Sequence, residues 1–309
     1  MSIEQTLLST EEVNNFLEQH HKDLIMELHF ISGGKHSEAF SYSLNEKNYI
    51  VRFNKNNRGF LKDLYAYEHF SSEEIVIPKI YNIGNYNDDI FYCTSEKIEG
   101  ETPKEQYKRD NFTSLYAQFE MIEKIKDIEI PKDYTNFGEF EIGLDTTYST
   151  FDEYLKGMYQ SKNIINWETV KLIPYFNQNF LDYLIKKIET LVNYSGNIRE
   201  LTHGDFGNDN LFIKDGKISG IIDWERARIG DHFLDVGRVV LFCPNREATV
   251  KAVLDFYKDK NVTHYKERIT LGVYVAMLRN YGAALSEGKE GSCRNYSNTI
   301  KQFEDIIKL

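Results

Sequence analysis

A short polar array in the second half of the chain constrains the fold more than any other feature. His203, Asp205 and Asn210 stand in the spacing H-x-D-x-x-x-x-N, and Asp223 directly follows the apolar pair Ile221–Ile222. A carboxylate such as that of Asp205 can accept a hydroxyl proton as a general base. The oxygens of Asn210 and Asp223 are ligands of the kind that Mg²⁺ prefers. We therefore expect a general base and two metal ligands here, with His203 packing under the loop.

The same three groups occur in the same order in kinases, where two of them hold the Mg²⁺ that bridges the phosphates of ATP. Upstream, Gly33 and Gly34, followed by Ser37, lie between two predicted strands. Glycines allow a backbone loop to approach phosphate oxygens closely, so this segment is a candidate nucleotide-binding loop. The full G-x-G-x-x-G pattern is absent, and the segment alone predicts only a hairpin turn. Together with the polar array, it predicts ATP-dependent phosphoryl transfer.

Arg52, in the predicted strand Tyr49–Phe53, lies where kinases usually carry a lysine paired with an acid on the next helix. Arginine keeps the charge but is longer and forked. Asp63 is the first candidate for its partner, and Glu68 is the second. The alternative is a surface arginine on an edge strand.

Residue periodicity predicts a β-rich first part and a mainly helical second part. The predicted helices cover 9–19, 59–70, 113–126, 151–159, 179–192, 249–258 and 269–285, and the predicted strands cover 28–31, 39–44, 48–53, 76–78, 90–94 and two short segments around Asp215–Gly216. We predict an α+β, two-lobed protein-kinase-like fold. Its small nucleotide-binding lobe comprises residues 1–95, its hinge residues 96–100, and its large catalytic and substrate-binding lobe residues 101–309.

The charge and the cysteines narrow the class of protein. The net charge is −11, which disfavours nucleic acid as a partner because phosphate backbones require clustered basic residues. The three cysteines are widely separated and odd in number, so neither a disulfide framework nor a zinc site is indicated. The N-terminus has no signal-peptide pattern and the apolar stretch 271–278 is too short to span a bilayer. We expect a cytoplasmic protein without a membrane partner, and a monomer by default.

The chain departs from protein kinases in ways that point to another family. Asp223 is followed by Trp224 rather than Phe-Gly, and no activation loop fits before Gly230-Asp231. The sequence resembles the aminoglycoside phosphotransferase family, and within it the branch that acts on hygromycin B. The segments that carry the resemblance are Ser37–Ser41, Tyr49–Arg52, Tyr65–Tyr67, His69-Phe70, Ile77-Pro78, Asp205–Gly207 and Ile222–Trp224.

The resemblance implies an ATP- and Mg²⁺-dependent O-phosphotransferase that inactivates a cationic aminocyclitol antibiotic and confers resistance. It implies that adenine meets backbone groups of Glu96 and Ile98. Ser95, which is small, leaves room for adenine, although the choice between ATP and GTP stays open.

The resemblance also implies that acidic side chains hold the ammonium groups of the acceptor. The candidates are Asp127, Asp209 and Glu225. Trp224 either stacks on a sugar ring or packs in the core, and the sequence favours neither.

One departure bears on the acceptor. The hygromycin branch carries tryptophans after the Gly-Asp segment, whereas residues 241–245 here contain Phe242 and no tryptophan. We therefore expect the wall that faces the sugar to differ. Two alternatives remain: a metabolic kinase for another hydroxylated amine or sugar, and a nucleotide-binding pseudokinase. The complete set of Asp205, Asn210 and Asp223 argues against the pseudokinase.

Overall fold

The computed structural model describes residues 7–33, 37–109, 112–132, 134–142, 148–160, 165–207 and 209–307. The chain divides into two compact units. The first comprises Met1–Gly100 and Ser219–Glu225, and the second comprises Glu101–Ile218 and Arg226–Leu309. The predicted C-terminal lobe includes residues 219–225, whereas the structure groups them with the first unit. Their polar groups bond to that unit: Ile221 N–H donates to Val76 O at 2.9 Å.

The first unit contains a five-stranded antiparallel sheet and two helices. Its elements are α1 (Thr10–His21), β1 (Met26–Gly33), β2 (Ser37–Leu44), β3 (Lys47–Asn54), α2 (Arg58–Phe70), β4 (Ile80–Asn85) and β5 (Phe91–Glu96), with strand order β1-β2-β3-β5-β4. Ser9 and Glu12 form a capping box at the start of α1, in which each side chain satisfies a backbone N–H that the first helical turn leaves unpaired.

The side chains of strand β3 alternate between the two faces of the sheet, and each face packs against different residues. Val51 and Phe53 are buried in an apolar cluster with Val13 and Leu17 of α1. Successive side chains of a strand point to opposite faces of the sheet, so Arg52 lies on the other face. On that face, the guanidinium of Arg52 lies near the thiol of Cys93 and packs against the ring of Phe60 in α2. The period-two pattern of β3 therefore positions Arg52 next to α2.

The predicted strand at residues 76–78 is wrong. Residues 76–79 have no strand structure, and the strand of this region is β4, which begins at Ile80. Ile77 is buried, which explains its apolar pattern. Pro78 has no N–H to contribute to a ladder of hydrogen bonds, so the segment is extended without strand pairing.

The second unit is mainly helical, as predicted. Its helices are α3 (Pro103–Tyr107), α4 (Leu115–Lys126), α5 (Phe151–Gln160), α6 (Trp167–Val170), α7 (Gln178–Leu191), α8 (Phe233–Phe242), α9 (Arg246–Tyr257), α10 (Tyr265–Ser286) and α11 (Glu290–Ile307). Its strands β6 (Gly138–Glu139), β10 (Arg228–Gly230) and β7 (Glu200–Thr202) form a small sheet in that order. Strand β8 (Leu211–Lys214) pairs with β9 (Lys217–Ile221), whose first two residues belong to the second unit and whose last three belong to the first. The sequence analysis missed helices α3, α6, α8 and α11.

Helices α8 and α10 approach each other closely at two glycines. A Cβ atom on Gly237 would lie 2.1 Å from the carbonyl carbon of Gly272, and one on Gly272 would lie 2.0 Å from the oxygen of Phe233. The backbones therefore touch where any side chain would separate them. This contact fixes α8, which carries charged groups toward the loop after β7. None of the described helices combines the length and apolar character needed to cross a bilayer.

Candidate active site

The loop that follows β7 is held at its start by Asp235 of α8. The carboxylate accepts hydrogen bonds from His203 N–H at 2.7 Å and from Gly204 N–H at 3.0 Å. Gly204 has φ +81°, and a Cβ there would lie 1.9 Å from Arg226 O, so only glycine fits. Asp235 was not predicted from the sequence. The pattern that could have indicated it is a charged residue within the apolar run 233–242.

Asp205, the predicted base, has both carboxylate oxygens engaged. Nη2 of Arg238 lies 2.6 Å from Oδ1, and the side-chain amide of Asn210 donates to Oδ2 at 3.1 Å. Burial raises the pKa of Asp205, but the positive charges of Arg238, Arg226 and Arg279 lower it by more, so the net shift is downward. The group is therefore ionised at neutral pH, as a proton acceptor must be.

Asn210 and His203 hold Asp205 from opposite ends of the loop. The amide nitrogen of Asn210 also donates to Asp205 O at 3.0 Å, and its amide oxygen is then the group that can bind a cation. His203 is fully buried, and its Nδ1 accepts the N–H of Asp205 at 3.2 Å. The predicted packing role of His203 is confirmed.

Arg52 and Asp63 form the predicted ion pair of the first unit. Arg52 Nη2 lies 2.6 Å from Asp63 Oδ2, with side-chain exposures of 24% and 7%. Burial lowers the pKa of Arg52, but the carboxylate charges of Asp63 and Asp223, with the hydrogen bond to Asp63, outweigh it and leave the pKa raised. Asp63, rather than Glu68, is therefore the partner, and the pairing is confirmed.

Asp223 lies in the turn after β9, in the same unit as Arg52. Its φ is +64°, a left-handed conformation that aspartate tolerates better than most residues. The next N–H, that of Trp224, donates to Asp63 Oδ1 at 2.8 Å, and Nζ of the buried Lys62 donates to Glu225 O at 3.0 Å. Helix α2 thus fixes the turn with two adjacent side chains. The role of Lys62 was not predicted from the sequence, because a lysine on a helix is ordinarily solvent-exposed.

Comparison with known sequences now decides the family. The sequence matches the phosphotransferase enzyme family over residues 27–267. The chain belongs to this family.

Two relatives illustrate how this phosphotransferase compares with characterised members. It is 28% identical over 226 residues to a hygromycin-B 4-O-kinase of Escherichia coli, a match that covers 72% of this chain and 64% of that protein. It is 32% identical over 148 residues to an aminoglycoside 3'-phosphotransferase of Enterococcus faecalis, covering 47% of each chain. The matched region therefore spans less than two thirds of either relative.

A solved structure shows the fold. A thermostable mutant of aminoglycoside phosphotransferase APH(4)-Ia, in a ternary complex with AMP-PNP and hygromycin B, superimposes with a TM-score of 0.80 at 21% identity, covering 96% of this chain and 98% of that one. The predicted protein-kinase-like fold class is confirmed.

Gly33, Ser37 and Glu96, three of the predicted nucleotide-binding residues, lie at strand ends of the five-stranded sheet. Gly33 ends β1 and pairs with Glu38, while Ser37 begins β2; Gly34 lies outside the described residues. Glu96 ends β5, and its N–H donates to Lys79 O at 2.9 Å. A Cβ on Gly220 would lie 2.6 Å from a side-chain carbon of Ile98, so Ile98 packs on the strand that leads to Asp223. Their nucleotide contacts stay predictions.

The predicted acceptor residues of this phosphotransferase lie on different elements of the chain. Asp209 is exposed and pairs with Lys104 at 3.0 Å, and Asp127 is exposed and pairs with Lys126 at 2.6 Å. Glu225 is exposed in the turn after Asp223.

Trp224 has two predicted roles, stacking on a sugar or packing in the core. Its side chain is 1% exposed, and its ring centroid lies 5.7 Å from that of Phe70. The structure supports the packing role. Phe242 is half-buried and its ring lies under the guanidinium of Arg238, 4.9 Å from the guanidinium carbon.

Proposed function

We propose that this chain is an ATP-dependent O-phosphotransferase for a hydroxyl of an aminocyclitol antibiotic of the hygromycin B type, and that it confers resistance. The observation that carries the proposal is the ionised carboxylate of Asp205, oriented by Arg238 and Asn210 on a loop that Asp235 holds. In this role Asp205 accepts the proton of the acceptor hydroxyl and directs its oxygen toward the γ-phosphorus.

Nucleotide binding is assigned to residues of the first unit. Arg52, held by Asp63, would contact the α- and β-phosphates, and the loop at Gly33, Gly34 and Ser37 would cover the phosphates. The backbone of Glu96 and Ile98 would meet adenine.

Asn210 and Asp223 are the proposed ligands of Mg²⁺. Their donor set fits the ion, because both offer oxygen and the amide nitrogen of Asn210 is already engaged by Asp205. When bound, Mg²⁺ would neutralise charge on the phosphates.

The acceptor is proposed to be cationic, because hygromycin B is bound in a structure of similar fold, and Asp209, Glu225 and Asp127 are proposed to hold it. One observation favours a second candidate, a metabolic kinase for another hydroxylated amine or sugar. The charges that lower the pKa of Asp205 include three arginines, Arg238, Arg226 and Arg279. Cationic groups repel an ammonium group, so an acceptor with fewer positive charges would suit the surroundings of Asp205 better.

We propose a cytoplasmic monomer. The three free, buried cysteines are consistent with a reducing compartment.

The test is ATP turnover by the purified protein with Mg²⁺, with and without hygromycin B, followed by mass analysis of the antibiotic. A gain of one phosphate supports the first candidate. Turnover stimulated only by less cationic sugars or amino alcohols supports the second. Asp205→Asn should lower turnover by roughly 10²- to 10⁴-fold. Asp255→Asn, which changes a carboxylate of α9, should leave turnover unchanged. Retention of activity in Asp205→Asn would contradict the assigned base.

A further inference from the structure

Helix α8 presents two opposite charges to the loop after β7. Asp235 and Arg238 are three residues apart, a spacing that places side chains on one face of a helix. Asp235 accepts the N–H groups of His203 and Gly204. Arg238 reaches the following two residues: Nη2 meets Asp205 Oδ1 at 2.6 Å, and Nε donates to Phe206 O at 3.5 Å. Asp235 thus fixes the backbone of the loop, and Arg238 reaches its reactive side chain.

Arg238 is itself held in place from several sides. Its side chain is 17% exposed, its guanidinium lies over the ring of Phe242, and its helix is fixed by the glycine contact with α10. A planar guanidinium with several bound neighbours has little freedom to rotate. The position of Asp205 Oδ1 is therefore set by a rigid group rather than by solvent.

The two carboxylate oxygens consequently have different surroundings. Among the described residues, Oδ1 faces the guanidinium of Arg238, and Oδ2 receives the neutral amide of Asn210. A proton is accepted more readily by the oxygen that does not bear a charge-assisted hydrogen bond. This asymmetry selects Oδ2 as the oxygen that accepts a proton.

We propose that Arg238 is a positioning residue of the phosphoryl transfer, which holds Oδ1 of Asp205 so that Oδ2 faces the acceptor hydroxyl. The proposal rests on the proposed function and adds to it a residue and a choice of oxygen. Arg238 does not touch the reacting atoms; it acts through Asp205. The proton passes from the acceptor hydroxyl to Oδ2 as the new oxygen–phosphorus bond forms and the bond to ADP breaks.

A double-mutant cycle tests whether Arg238 acts through Asp205. In the otherwise unchanged protein, Arg238→Met should lower kcat by about 10²-fold, the effect expected when a catalytic group is misplaced by about 1 Å. In the Asp205→Asn protein, Arg238→Met should have no further effect, because the group it positions is already lost. Nucleotide affinity should not change in either background. An equal loss of kcat in both backgrounds would show a general structural role and overturn the proposal.

Two further variants separate position from stability. Arg238→Lys should keep more activity than Arg238→Met, because an ammonium can still bond Oδ1. In Arg238→Ala, added guanidinium should restore part of kcat, and added sodium at the same concentration should not. Arg294→Met, which removes an arginine paired with Glu290 on α11, is the matched control and should behave like the unchanged protein. Full activity of Arg238→Met would overturn the proposal.

A crystal structure of Arg238→Met tests the geometry without turnover. We expect the Asp205 carboxylate to rotate away from its present orientation. An unchanged carboxylate would overturn the proposal even if no acceptor were found, whereas a failure of the unchanged protein to phosphorylate any acceptor would refute only the proposed function.

Discussion

The carboxylate of Asp63 accepts a hydrogen bond from the backbone N–H of Trp224, 161 residues later in the chain. Its other oxygen holds Arg52. One side chain therefore fixes both the proposed phosphate-binding arginine and the turn that carries the proposed metal ligand Asp223. Any change at Asp63 should disturb both groups at once.

Replacing Asp63 should be costly. Asp63→Ala leaves the charge of Arg52 and the N–H of Trp224 without their partner, and we expect it to lower the free energy of unfolding by about 3 kcal/mol. It should also raise the KM for ATP. The measurement is urea unfolding together with steady-state kinetics. Glu68→Gln, on the exposed side of α2, is the control and should change the free energy by less than about 0.5 kcal/mol. Equal effects of the two variants would contradict the pairing.

Trp224→Phe distinguishes packing from substrate binding. Because the ring is buried against Phe70, we expect the free energy of unfolding to fall by about 1–2 kcal/mol. The KM for the acceptor should stay unchanged. A raised KM with unchanged thermal stability would support the sugar-stacking alternative instead.

Gly204→Ala should damage the catalytic loop through its backbone. The new Cβ would meet Arg226 O, and φ +81° disfavours any side chain. The left-handed conformation alone costs about 1–3 kcal/mol, and the clash adds to that cost. Gly216→Ala is the matched control, since Gly216 has φ +75° but nothing within 4 Å of its Cβ position. Differential scanning calorimetry should show a much larger drop in Tm for Gly204→Ala. Similar drops would mean that the contact with Arg226 is unimportant.

A buried histidine at the start of α8 should make stability depend on pH. His232 Nδ1 lies 2.6 Å from Glu200, and Nε2 lies 3.1 Å from Glu123. Burial lowers the pKa of His232, but the two carboxylates and Asp231 outweigh it and raise the pKa to about 9. The other charged or titratable groups of this cluster are Lys126, Tyr257 and Arg268.

The raised pKa of His232 determines the direction in which stability changes with pH. Protonated His232 stabilises the fold fully below pH 6.5, its ordinary pKa, and this contribution is lost as the pH rises through about 9. We expect a contribution on the order of 3 kcal/mol at its maximum. Unfolding free energies measured from pH 6 to 10 should fall in the unchanged protein. In His232→Asn they should fall much less. Parallel curves for the two proteins would contradict the assignment.

The sequence predicted the parts of the site that depend on local spacing. Asp205 and Asn210 lie on one loop, five residues apart, and Arg52 and Asp63 lie on a strand and the helix that follows it. Residues this close in the chain can approach each other without help from distant elements. Their types and order therefore suffice to indicate which groups pair.

The sequence could not predict the supports that come from distant elements. Asp235 and Arg238 lie on a helix that was missed, because a nearly continuous apolar run around a few charged residues does not show the amphipathic period of a surface helix. Nor did Asp209 reveal that Lys104, far earlier in the chain, pairs with it. Such pairings are set by how elements pack, which composition does not encode.

The membership of Ser219–Glu225 in the first unit has a consequence for how the protein is made. Chains emerge from the ribosome N-terminus first, and domains generally fold as units. Here the first unit lacks the backbone N–H groups that bond to Asp63 and Val76 until Glu101–Ile218, much of the second unit, has also been synthesised. Completion of the earlier-made unit must therefore wait for the later one, so a fragment that ends at Gly100 would be an unfinished domain rather than a minimal nucleotide-binding module.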